Sequence, residues 1–193
     1  KYNYYTISLL NEVALRNSIQ HNLIIELCEL CVQVNSIKQF KTTSNKNSPM
    51  ELLFATHNQH KKEEIQQILG SEFLIKSLTD YKIFEEIVED GSTFEENALI
   101  KAKYCFEKTG ISSVGDDSGL VIKSLDGRPG IYSARYAGDH DFNKNMAKVL
   151  EELENVEDRT AYFITVLCYY NENGAQYFTG KVHGKILKEN KGH

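Results

Sequence analysis

Two acidic clusters joined by one helix-length stretch constrain this chain more than any other feature. Glu89-Asp90-Gly91-Ser92-Thr93-Phe94-Glu95-Glu96-Asn97-Ala98 lies on one side and Gly115-Asp116-Asp117-Ser118-Gly119-Leu120 on the other. Thr93 and Glu96 form a capping box, in which the Thr93 hydroxyl accepts from the Glu96 N–H and Glu96 reaches back. The helix it opens is predicted to run to about Lys108, with Phe94, Ala98, Ala102, Cys105 and Phe106 as its buried stripe and Gly110 as its stop. A short strand, Ser112–Gly115, then delivers Asp116 and Asp117 to its end. Neighbouring residues of a strand point to opposite faces, so one aspartate reaches a metal and a water while the other supports it. Carboxylates gathered in this way suit a hard divalent cation with oxygen ligands, such as Mg²⁺. Such a site points towards phosphate chemistry.

The phosphate side comes from a second region. Leu52–Ala55 is an apolar run of strand length. It leads directly into Thr56-His57-Asn58-Gln59-His60-Lys61-Lys62. A helical pattern follows at about His60–Leu69, with Ile65, Ile68 and Leu69 on one face and Gly70 as its stop. A polar loop with a lysine therefore joins a strand to a helix N-terminus, where unpaired N–H groups and the positive dipole end favour anions. The Thr56 hydroxyl, the Asn58 amide and the Lys61 ammonium are the expected phosphate contacts, and Lys62 is expected to be solvated. His57 and His60 read as polar loop residues rather than metal ligands, because no third soft ligand is spaced to join them. The loop is not a Walker A sequence, and no GxGxxG follows a strand.

Elsewhere the pattern gives strands at Phe73–Leu78, Leu120–Ser124 and Ala161–Tyr170. A turn lies at Asp126-Gly127, and Asp141 caps a helix carrying Phe142, Met146, Val149, Leu150 and Leu153. Asn173-Gly174 turns the chain so that Gln176–Ile186 pairs back as a hairpin. Ala161–Tyr170 is apolar on both faces, as an interior strand is. Strands and helices interleave, so the class is α/β with a mixed twisted sheet and flanking helices.

Four motifs in order carry a family resemblance. They are Ala55-Thr56-His57-Asn58 with Lys61, Thr93-Phe94-Glu95-Glu96-Asn97-Ala98 with Lys101-Ala102, Asp116-Asp117-Ser118-Gly119-Leu120, and Pro129-Gly130-Ile131-Tyr132-Ser133-Ala134-Arg135-Tyr136. From Met50 onward the chain resembles the inosine triphosphate pyrophosphatase family, with His57 where the family more often has glycine. The resemblance implies two lobes around a nucleotide cleft. It implies Mg²⁺-dependent hydrolysis of deaminated purine nucleoside triphosphates such as ITP, dITP and XTP to the monophosphate and pyrophosphate, which cleanses the nucleotide pool. Asp117 matches the family's catalytic acid/base. Glu89, Asp116 and Asp117 match its metal site, and the loop Thr56–Lys61, with His57, Gln59 and His60 included, and Ser118 match its substrate contacts. Asn97 stands open between helix-start chemistry and ordering of the acids. Ser133, Arg135 and Tyr136 stand open between a structural role and ligand contact. A related pyrophosphatase for pyrimidine or modified nucleotides and a non-catalytic nucleotide-binding module are the rival readings.

The ends of the chain read differently. All 12 glycines and all the aspartates lie after Met50, the first methionine, which follows the polar stretch Thr42–Pro49. Residues 1–49 are expected to be a non-homologous segment, translated upstream sequence or a genuine extension, and residues 50–193 a pyrophosphatase domain. The segment shows a helical pattern around Leu23–Val34, too short for a membrane span. Its Cys28 and Cys31 read as apolar packing. At the other end, the family's Phe-Gly-Tyr-Asp-Pro and Ser-His-Arg motifs have no counterpart before His193. The domain is therefore expected to be incomplete, and the chain as it stands nearly inactive and unable to read the base.

A net charge of −5 conceals +2 on residues 1–49 and −7 on the remainder. The acidic part is a poor general nucleic-acid binder, because phosphate neutralisation dominates that affinity. Four cysteines without a paired framework or a signal peptide point to a cytoplasmic protein. A homodimer is the expected assembly when the domain is complete.

Overall fold

The computed structural model describes residues 37–38, 48–138 and 140–188. The helical pattern at Leu23–Val34, the Cys28/Cys31 pair and the end of the Lys188–His193 loop lie outside the described residues. Five strands form one sheet: β1 (Met50–Phe54), β2 (Phe73–Ser77), β3 (Ser113–Ile122), β4 (Thr160–Asn171) and β5 (Gly174–Lys185), in the order β2-β1-β3-β4-β5. β1 pairs in parallel with β2 and with β3, in a register that sets Leu52 beside Ile75 and Leu53 beside Ser113. β4 and β5 are joined by the tight turn at Glu172-Asn173. The sheet is accompanied by helices α1 (Gln59–Leu69), α2 (Phe94–Thr109) and α3 (Phe142–Glu152). This is the mixed α/β class expected from the pattern. No helix among the described residues is long and apolar enough to cross a membrane.

The chain divides into two compact units, and β3, β4 and β5 each contribute to both. The first unit holds the described residues from Ile37 to Ser118, and Thr165–Gly180. Its strand β1 is covered on both faces. Leu52 and Phe54 enter a core with Ile65, Leu69, Ile75, Val114 and Leu167, while Leu53 enters another with Leu78, Ile83 and Cys105. That split follows the two-residue period of a strand. Ile37 is 1% exposed and belongs to the Leu52–Phe54 core. The segment before Met50 thus supplies a buried side chain to the unit that it precedes.

β3 departs from expectation. The sequence suggested a strand ending at Gly115 and another starting at Leu120, yet Ser113–Ile122 is one continuous strand. Asp116 and Asp117 therefore sit within it. The extended backbone is tolerated because each carboxylate finds a partner on its own face of the strand. At Gly115 the strand runs against α2. A Cβ there would collide with the Ala98 carbonyl oxygen and stand 2.7 Å from the Ala102 nitrogen.

The second unit holds Gly119–Ile164 and the described residues from Lys181 onward. Ile122, Leu125, Val149, Leu153 and Ala161 make its core. Asp141 caps α3 by accepting from the Asn143 and Lys144 N–H groups. Phe142, at the first helical position, is exposed. The buried face of α3 runs through Asn145 and Val149 to Leu153. Arg159 is buried, and its guanidinium donates to the carbonyls of Leu153 (2.6 Å), Ile186 (2.8 Å) and Leu187 (2.9 Å).

Candidate active site

The site residues predicted from sequence all fall in the first unit. One group is the loop between β1 and α1. The Asn58 N–H donates to the Thr56 hydroxyl (3.1 Å), and the Asn58 side-chain oxygen caps α1 by accepting from the Lys61 N–H (3.2 Å). Thr56 and Asn58 thus shape the loop themselves. The amides of Gln59 and His60 open the helix, where no intrahelical acceptor exists for them. His57, Asn58, Gln59 and His60 are exposed, whereas Thr56 and Lys61 are half-buried. The Lys61 ammonium crosses to the Asp116 carboxylate in an ion pair. Lys62 pairs instead with Asp80 at 2.7 Å.

α2 supplies the second group. Its capping box forms, with the Glu96 N–H on the Thr93 hydroxyl at 3.1 Å. The Glu96 carboxylate reaches back to Ser92, taking its N–H (2.6 Å) and its hydroxyl (2.7 Å). One turn into the helix, Asn97 is buried at 1% exposure. Its amide donates to Asp117 Oδ2 at 3.0 Å and its oxygen accepts the Gly91 N–H at 2.9 Å. Lys101, four residues on and hence on the same helix face, donates to Glu89 at 3.1 Å. The other Asp117 oxygen accepts the Ser118 N–H at 2.9 Å, and the Ser118 hydroxyl lies 2.9 Å from that of Thr165 on β4.

The two adjacent aspartates are electrostatically unlike. Burial pushes the Asp117 carboxyl up to about 6; Asn97 and Lys101 oppose the rise and Glu89 adds to it. Burial also acts to raise Asp116, but the charges of Lys61 and Lys101 outweigh it and hold that carboxyl below the usual aspartate range. At neutral pH both are mainly ionised, Asp116 matched to Lys61 and Asp117 titrating nearer to neutrality than its neighbour.

Sequence reasoning did not assign Lys101 or Thr165 to the site and left Asn97 undecided. The Asn97/Lys101 spacing of four on a helix whose first turn faces the acids was the available signal. Thr165, inside an apolar strand, carried none. Among the described residues no group of three or more His, Cys, Asp or Glu side chains is assembled as a metal site. Glu89 and Asp117 nevertheless lie within each other's electrostatic reach. Two carboxylates offering only oxygen match the minimal protein share of a Mg²⁺ site, which substrate phosphates and waters complete. The donor chemistry thus fits such an ion.

In the second unit, Ser133 accepts the Leu120 N–H (2.8 Å) and donates to the Gly130 carbonyl (2.6 Å). The Tyr136 hydroxyl bonds Glu152 at 2.8 Å, and Arg135 stacks over Tyr132 at 5.3 Å. Local hydrogen bonds thus occupy Ser133 and Tyr136.

Residues 52–193 match the model of a family described as the Ham1 family. A relative from Geobacter sulfurreducens, named dITP/XTP pyrophosphatase, is 47% identical over 146 residues, 73% of each chain. A solved Ham1 protein from Coxiella burnetii superposes with a TM-score of 0.69 at 37% identity, covering 72% of this chain and 74% of that one. The Staphylococcus aureus Ham1 protein gives a TM-score of 0.68 at 34% identity over 72% of each chain.

Proposed function

The chain belongs to the Ham1 family, and from that premise we propose that it hydrolyses deaminated purine nucleoside triphosphates such as dITP, XTP and ITP to the monophosphate and pyrophosphate. The observation that carries the reading is the half-buried Asp117 carboxyl, which accepts the Asn97 amide at 3.0 Å, lies within the field of Lys101 and is raised to about 6. A general base works best with a pKa near the operating pH. Asp117 takes a proton from water as the water oxygen bonds to the α-phosphorus. The bond from that phosphorus to the bridging oxygen breaks, and its electron pair leaves with pyrophosphate.

The surrounding residues divide the charge. The Thr56–Lys61 loop, with His57, Asn58, Gln59 and His60, receives the phosphates on helix-start amides and the Lys61 ammonium. Lys61 is positioned by its ion pair with Asp116. Lys101 stabilises negative charge near Asp117, and Ser118, held by Thr165, orients the substrate beside it. Glu89 and Asp117, with Asp116 beside them, would hold a divalent cation such as Mg²⁺. When bound, the ion neutralises the triphosphate and polarises the reacting phosphoryl group.

The test presents the full-length protein with XTP, dITP, ITP, ATP and GTP, with Mg²⁺ and with a chelator. Pyrophosphate should appear from the three deaminated nucleotides, and only with the metal. Equal turnover of ATP, or turnover unaffected by the chelator, would overturn the reading.

A further inference from the structure

Asn97 has two hydrogen-bonding ends, and the structure uses both. The Gly91 N–H is a donor, so it dictates that the amide oxygen faces the loop. The NH₂ group must then face Asp117. Gly91 stands two residues beyond Glu89, so one buried amide spans from the loop that carries one acid to the strand that carries the other. The loop can lie this close only because residue 91 lacks a side chain. A Cβ there would stand 2.7 Å from the Asn97 oxygen and 2.8 Å from Glu96 Cβ. Helix α2 fixes the bridge itself, since the Asn97 N–H makes a helix-opening bond to the Thr93 carbonyl at 3.1 Å.

We propose that Asn97 is a positioning residue that sets the separation of Glu89 and Asp117, so that both carboxylates serve one divalent cation. The idea rests on the reading of Glu89 and Asp117 as cation ligands. Asn97 does not touch the ion. It acts through Asp117, whose oxygen it orients, and through Gly91, which carries Glu89 into place. Partners in that position typically change metal affinity by roughly 10- to 100-fold when removed.

Mn²⁺ binding to the full chain, measured by calorimetry without nucleotide, tests this directly. Asn97→Leu keeps the shape of the side chain and removes both bonds. Gly91→Ala leaves Asn97 intact and pushes the loop away from it, so it decides the question if Asn97→Leu does not fold. Asp117→Asn serves as the reference, and a thermal melt of each variant reports folding. The expected result is Mn²⁺ binding at least about tenfold weaker in both folded test variants and in Asp117→Asn. Weakening in Asp117→Asn with wild-type binding in Asn97→Leu and Gly91→Ala would overturn the role of Asn97 and leave the ligand reading standing. Wild-type binding in Asp117→Asn would overturn both.

Discussion

Each unit contains a cluster of cations and acids, and the two clusters differ in what the charges face. In the first unit Lys61, Lys101, Glu89, Asp116 and Asp117 are gathered where the Asp116 and Lys101 side chains are only 10% and 13% exposed. In the second, Arg128 meets Glu152 at 2.7 Å with the arginine 54% exposed, and Tyr136 joins them. Water screens the exposed Arg128 charge, so the energetic worth of its pair with Glu152 is small. Burial reduces that screening in the first cluster and moves the two neighbouring carboxyls in opposite directions, Asp116 down and Asp117 up to about 6. The buried cation of the second unit, Arg159, faces three carbonyl oxygens rather than an acid. Burial thus shifts two carboxyls in one unit, and a buried charge clamps backbone in the other.

The largest effect expected is that of Asp117→Asn. Removing the base should lower turnover by roughly 100- to 10,000-fold, checked by pyrophosphate release from XTP. The same variant should separate function from stability. A carboxyl whose folded pKa lies above its unfolded value stabilises the fold at low pH, and that contribution is lost as the pH rises through about 6. In chelator, melting of the wild type should therefore fall relative to Asp117→Asn across that pH. Parallel curves would show that burial does not perturb Asp117.

Arg159→Met should show the opposite pattern. It strands carbonyl groups in the second unit and should cost about 3 kcal/mol of stability, read by denaturant melts. Turnover per folded molecule should stay within about threefold of wild type, because the change lies among backbone carbonyls and not among phosphate contacts.

Next in size is the contrast between neighbouring lysines. Lys61→Ala removes a charged contact worth about 1.5–3 kcal/mol and should lower kcat/KM by the corresponding roughly 10- to 100-fold. Lys62→Ala severs only the pair with Asp80 and should leave kcat/KM almost unchanged. Equal losses would erase the distinction between a lysine that faces Asp116 and one that faces Asp80. The smallest effect is that of Arg128→Ala, expected to cost at most about 1 kcal/mol in melts.

Much of this was legible in the residues themselves. The Thr93 cap and the Gly110 stop of α2 appear where local chemistry placed them, because capping depends on a few adjacent side chains. The strand–loop–helix at Thr56–Lys61 was equally local. The continuity of β3 through Asp116-Asp117-Ser118-Gly119 was not, since those residues favour turns and remain extended here through partners 55 and 20 residues away. Lys101 was quoted with the Thr93–Ala98 motif but given no role, and its reach to Glu89 supplies one. Ile37 was hidden for the same reason: it lies in a stretch without the unit's motifs, and its burial depends on distant neighbours in the Leu52–Phe54 core.

The central claim is that water near Asp117 attacks the α-phosphorus. Hydrolysis of XTP by the full-length protein in heavy-oxygen water, followed by mass spectrometry of both products, tests it most directly. The account predicts the label in the nucleoside monophosphate and unlabelled pyrophosphate. Label in the pyrophosphate, or release of orthophosphate instead, would contradict it.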